Sequence, residues 1–214
     1  MRIAGGMWRG RELLTQEGRD TRPTQARVRE SCASSVLHEF SLDLRGVSVF
    51  DAYAGSGALG FEFLSRGAKQ LVAVEKNRKS FACLKQNATK LKADPHLCTL
   101  LYADALQPRT YERVFQALAG SKVSLVLLDP PYAFPVKDAL QPLYLLKEAG
   151  CLDEHARVLY EHAASDTFSP QDVRAQEQVL SCSVSVSRHI SHGICAIEIL
   201  RLDSLTDSLA SSFD

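Results

Sequence analysis

Residues 47–62, VSVFDAYAGSGALGFE, constrain the fold more than any other part of the chain. Val47, Val49 and Phe50 are β-branched or aromatic, which suits a buried strand that Asp51 closes. Gly55, Gly57 and Gly60 then fall in G-x-G-x-x-G spacing at the start of a helical run. In such a turn the first glycine permits a tight bend, the second lets a ligand approach the backbone, and the third seats the helix close to the strand. N–H groups left free at the helix start face the ligand. A second apolar strand, QLVAVE, ends in Glu75, 18 residues after Gly57. A carboxylate there can accept from both hydroxyls of a ribose. The pattern points to a nucleoside-containing cofactor. It leaves open a nicotinamide dinucleotide, S-adenosylmethionine, or a turn that only joins strand to helix.

The run VSLVLLDPPY at 123–132 separates these options. Its continuous apolar part reads as a strand buried on both faces. Asp129-Pro130-Pro131-Tyr132 ends it abruptly, since two prolines fix φ and force an extended path. A carboxylate, backbone carbonyls and an aromatic ring are thereby held on a rigid loop. The exocyclic amino group of a nucleobase is a poor nucleophile, because its lone pair is delocalised into the ring. Asp129 and the Pro130 carbonyl can accept from its N–H groups, draw the lone pair out, and stabilise positive charge developing on nitrogen. Tyr132 can stack on the flipped base and hold it for in-line attack. Hydride transfer needs no such loop. A strand terminator with an Asp cap is the plain alternative.

The pair DAYAGSGALG and DPPY resembles the amino-group-modifying, S-adenosylmethionine-dependent methyltransferases. The opening MRIAGGMWRGREL and the segment TRPTQARVRESCASSVL narrow the likeness. They resemble the bacterial family that methylates the 2-amino group of a guanine in 16S ribosomal RNA, over residues 1–202. Tyr53 stands where that family usually has Phe. The resemblance implies a Rossmann-like α/β methyltransferase fold, with a seven-stranded, mostly parallel sheet whose last strand is antiparallel. It implies catalytic roles for Asp129, Pro130, Pro131 and Tyr132. Asp51, Tyr53, Gly55, Gly57, Gly60, Glu75 and Asp104 would bind the cofactor; for Asp104 a helix N-cap competes. Arg9, Arg11, Arg22, Thr24, Arg27 and Arg29 would contact ribosomal RNA within the small subunit or its assembly intermediate. For the helical arginines a solvated face is the competing reading.

Strand and helix alternate along the chain, so a doubly wound sheet is expected with ligands at the C-terminal strand ends, where the winding reverses. The first and fourth strands should flank that point. Residues 1–40 read as an N-terminal strand and helix extension, 41–202 as the methyltransferase domain, and 203–214 as a disordered tail. A helix is expected over 25–40 with Thr24 as N-cap, and Trp8 at the core edge. Residues 157–162 read as the fifth strand and 163–176 as irregular, followed by strands at 178–189 and 193–202.

Net charge is zero, but residues 1–30 carry seven arginines against four acids. Phosphate contact should therefore concentrate on this arm and the site rim. The six cysteines are scattered without metal spacing and read as reduced thiols, and no metal is expected. Without an apolar run of membrane length or a signal-peptide core, a cytoplasmic protein is expected, with a monomer as the default. Three other classes remain: an amino methyltransferase of adenine or cytosine in DNA or another RNA, a nicotinamide oxidoreductase, for which only the glycine turn speaks, and an RNA-binding protein without catalysis.

Overall fold

The computed structural model describes residues 1–15, 23–131, 134–166 and 168–204, with the side chains of 23–29 and 170 excepted. Tyr132, Arg22 and most of the expected tail lie outside these residues, as do the side chains of Thr24, Arg27 and Arg29.

A seven-stranded sheet runs through the molecule in the order β3-β2-β1-β4-β5-β7-β6. Its strands are β1 (Ser48–Asp51), β2 (Gln70–Glu75), β3 (Cys98–Tyr102), β4 (Val123–Leu128), β5 (Leu152–Ala163), β6 (Ser183–His192) and β7 (Cys195–Asp203). The first five pair in parallel, and β7 pairs antiparallel with both β5 and β6. This is the mixed, mostly parallel sheet expected, with β1 and β4 adjacent. The helices are α1 (Pro23–Glu39), α2 (Ala58–Ser65), α3 (Arg78–Leu91), α4 (Thr110–Leu118), α5 (Val136–Glu148) and α6 (Pro170–Leu180).

Side chains alternate across the sheet, so each face builds its own core. Phe50, Val72, Val126 and Val158 pack with Tyr111 of α4 and Leu143 of α5. Val49, Leu71, Leu125 and Leu127 pack with Cys32 and Val36 of α1, Phe61 of α2 and Leu84 of α3. Ile3, Trp8 and Leu13 join this second core, where Trp8 meets Phe61 edge-on at 6.3 Å. Trp8 is thus the core-edge residue anticipated.

Three local expectations are corrected. Helix α1 starts at Pro23, so Thr24 lies inside the first turn and is not the N-cap. Proline favours that first helical position because its φ is already helical and its missing N–H costs nothing there. Residues 170–180 form α6 rather than irregular chain, and β6 starts only at Ser183. The reason is a capping box. The Ser169 hydroxyl accepts from the Asp172 N–H, the Asp172 carboxylate accepts from the Ser169 N–H at 2.7 Å, and Pro170 opens the helix. Strand β5 starts at Leu152 rather than 157, because a register irregularity between Val123 and Leu125 admits the polar residues 153–155. Ser169→Ala should cost about 1 kcal/mol, or roughly 2–4 °C in melting temperature for a domain of this size. An unchanged melting temperature would show that Pro170 alone starts the helix.

Candidate active site

Strands β1 and β4 pair in register with Asp51 opposite Leu127, and the Ala52 N–H donates to the Leu127 carbonyl at 3.1 Å. The glycine turn and the Asp129-Pro130 loop therefore leave the sheet side by side. They are about 70 residues apart in sequence. Asp129 is half-buried, Pro130 is buried and Pro131 is exposed.

Asp51 is buried at the end of β1, where the backbone N–H groups of Tyr53 and Gly60 donate to it. Burial, and then the charge of Glu75, push its carboxyl up to about 7. The folded state therefore holds a proton that the unfolded chain releases near 3.8, so Asp51 makes stability fall as pH rises through that window. Asp51→Asn should flatten the melting-temperature profile between about pH 4 and pH 7. A slope identical to wild type would exclude Asp51 as the titrating group.

Gly55 adopts φ +56°, and its N–H donates to Glu75 Oε2 at 2.8 Å. Glu75 Oε1 accepts from the Asn77 N–H at 2.6 Å. A carboxylate offers about four acceptor positions, so half of Glu75 stays open for hydroxyl donors. Gly60 is where close helix–strand approach requires it, since a Cβ would stand 2.9 Å from Leu71 and 3.0 Å from Asp51. Gly57 adopts φ +81°. Its φ lies in the left-handed region that favours glycine, and a Cβ there would also stand 2.4 Å from the side-chain ends of Leu84 and Phe61, so backbone conformation and packing beneath the turn add to the expected reason.

Asp104 follows β3 and accepts from the Leu106 N–H at 3.0 Å, with the Lys76 ammonium 3.6 Å away. Helix α4 starts only at Thr110, so Asp104 is not its N-cap. Tyr53 is half-buried, and its hydroxyl points at the Asp138 and Ala139 carbonyls of α5, at 3.5 and 3.4 Å. Pro142 lacks the N–H that would bond the Asp138 carbonyl, so Tyr53 meets an acceptor the helix leaves open. Sequence reasoning missed two residues here. Phe134 meets the Tyr53 ring edge-on at 6.2 Å, and Lys76 sits over Phe134 at 5.4 Å. Both bridge loops distant in sequence; the aromatic after DPPY was the available signal. Of the expected RNA contacts, Arg9 is exposed, whereas Arg11 reaches the Lys90 and Leu91 carbonyls at the end of α3.

The family described as conserved hypothetical protein 95 matches residues 1–180. The ribosomal RNA small subunit methyltransferase D of Haemophilus influenzae is 31% identical over 161 residues, spanning 75% of this chain and 78% of the relative. The chain belongs to this methyltransferase family. The protein of the same name from Escherichia coli strain K12 is also 31% identical, over 75% of this chain and 74% of the relative. The solved structure of the Escherichia coli protein yhhF superposes with a TM-score of 0.69 at 27% identity, covering 95% of this chain and 98% of that one. A magnesium protoporphyrin IX methyltransferase from Synechocystis, at 19% identity and a TM-score of 0.63 over 94% of this chain and 88% of that one, shares the fold.

Membership places the chain among the S-adenosylmethionine-dependent methyltransferases, and its donor set suits that cofactor. Asp51 and Glu75 end β1 and β2, and Asp104 lies two residues beyond the end of the neighbouring β3. Carboxylates there accept from ribose hydroxyls and an adenine amino group and attract a sulfonium cation. They would repel the pyrophosphate of a nicotinamide dinucleotide. Among the described residues, no group of three or more His, Cys, Asp and Glu is arranged to hold a metal ion. No helix among them is long and apolar enough to cross a membrane.

Proposed function

We propose that this protein transfers a methyl group from S-adenosylmethionine to the exocyclic 2-amino group of a guanine in 16S ribosomal RNA, within the small subunit or its assembly intermediate. It would act as a cytoplasmic monomer. The observation that carries this reading is the register of β1 and β4, which seats Asp129 and Pro130 beside the glycine turn. The relatives named ribosomal RNA small subunit methyltransferase D support ribosomal RNA as the substrate.

When bound, S-adenosylmethionine supplies a methyl group on a positively charged sulfur. Asp51, Glu75 and Asp104 hold the cofactor, with Tyr53, Gly55, Gly57 and Gly60 shaping the turn around it. Asp129 and the Pro130 carbonyl accept from the two N–H groups of the base and orient its lone pair. Pro131 fixes the loop path, and Tyr132 stacks on the flipped base. As the nitrogen becomes cationic, its proton passes to Asp129 or to water. Arg9, Arg11, Arg22, Arg27 and Arg29, with Thr24 at the start of α1, place the RNA phosphates.

Incubation with tritiated S-adenosylmethionine and either naked ribosomal RNA, small subunits from a strain lacking the enzyme, or duplex DNA tests the reading. Label in 2-methylguanosine from RNA or subunits is the expected result. Label in methyladenine or methylcytosine would replace the substrate, and label in none of the three would overturn the reading.

A further inference from the structure

Helix α3 and the stretch around it hold the densest positive charge of the chain. Residues 76–92 contain six cations and no acid, in a protein of zero net charge. Helical spacing sets Arg78, Phe81, Ala82 and Lys85 along one side of α3. With Gln86 and Tyr102 they line an open groove of about 420 Å³. Tyr102 is the last residue of β3, the edge strand of the sheet, and its side is 51% exposed. The Phe81 ring backs it at 5.3 Å, tilted by 38°. Arg113 Nη1 donates to the Tyr102 carbonyl at 3.4 Å, which adds a further cation at the rim.

An exposed aromatic ring supported from behind and flanked by cations is a stacking platform with phosphate partners. The register of β2 and β3 links this groove to the site. Tyr102 pairs in register with Glu75, so the groove opens at the same C-terminal rim of the sheet. Three inter-strand steps of about 4.8 Å set β3 roughly 14 Å from β4 and Asp129. The N-terminal arm also lies along α3: Arg11 reaches its last carbonyls, and Leu14 exchanges hydrogen bonds with Asn87 at 2.7 and 3.0 Å. The arm thereby meets the C-terminal end of α3 and its Asn87 side, around the helix from Arg78.

We propose that this groove binds a single-stranded RNA nucleotide near the target base. Its base stacks on Tyr102, and Arg78 and Lys85 hold the adjoining phosphates. This rests on the RNA-methylating reading above and adds a contact outside the methyl-transfer site.

The test uses a short fluorescent single-stranded oligoribonucleotide, with cofactor affinity and ribosomal RNA methylation measured in parallel. Tyr102→Ala should weaken oligonucleotide binding about tenfold and raise the KM for RNA with kcat and cofactor affinity unchanged. Tyr102→Phe should restore binding. Arg78→Gln with Lys85→Gln should lower the slope of log affinity on log salt by about two. Wild-type oligonucleotide affinity in Tyr102→Ala, with methylation intact, would overturn the groove and leave the function standing. Loss of cofactor affinity instead would assign the groove to the adenosine moiety and also overturn it. A wild-type protein that neither binds the oligonucleotide nor methylates RNA would remove the RNA reading itself.

Discussion

Asp129→Asn should fold and bind S-adenosylmethionine within a few-fold of wild type, yet turn over about 100- to 1000-fold more slowly. The substitution keeps the size of the side chain but replaces an acceptor-only group with one that also donates. Aimed at the N–H groups of the base, the new amide opposes a donor with a donor and no longer carries charge against the developing cation. That loss corresponds to about 3–4 kcal/mol of transition-state stabilisation. The fold should tolerate the change because Asp129 lies half-exposed beyond the end of β4, outside both cores. Single-turnover kinetics with saturating RNA would separate this from weakened substrate binding. Wild-type turnover in that assay would remove Asp129 from the mechanism and leave the Pro130 carbonyl as the remaining acceptor.

Much of this arrangement was legible from sequence, because its signals are local. The apolar runs ending in Asp51, Glu75 and Asp129 each form a strand buried along its length, and a strand of that kind reads directly. Helix α6 was hidden because PQDVRAQEQVL is mostly polar, and only the Ser169-Pro170-x-Asp172 cap marks its start. Gly57 shows a subtler limit. The spacing identified the position, but Leu84 and Phe61, which pack against it, come from two helices that sequence could not place beneath the turn. Lys76, Phe134 and Tyr102 were missed for the same reason, since their partners lie on other elements of the fold. The net charge of zero also drew attention to the N-terminal arginines and away from α3.

Glu62 illustrates long-range dependence most sharply, and Glu62→Ala should be the most damaging change outside the site. The residue belongs to the glycine-turn stretch and reads from sequence as an ordinary helical position. In the fold it is fully buried. Oε2 accepts from the Ala4 N–H at 2.8 Å, while Oε1 accepts from the Gly5 N–H at 2.9 Å and from Arg66 Nε at 2.7 Å. Ser65 adds to the grip, accepting from the Trp8 N–H and donating to the Gly5 carbonyl at 2.6 Å. The arm that carries Arg9 and Arg11 is thus fastened to the helix that follows the glycine turn. The exposed Arg2–Glu12 pair near it contributes little, because solvent screens it. Removing Glu62 instead leaves a nearly buried guanidinium and two backbone N–H groups without their acceptor. The expected loss is about 3–5 kcal/mol, or roughly 10 °C in melting temperature at this chain length. Glu62→Gln should fall between, because its amide keeps one acceptor and turns a donor toward the others. Calorimetry with limited proteolysis of the N-terminus would check both: a lowered melting temperature with early cleavage near residue 5 is expected. A melting temperature within 2 °C of wild type would mean that Ser65 and the packing of Trp8 hold the arm without the carboxylate.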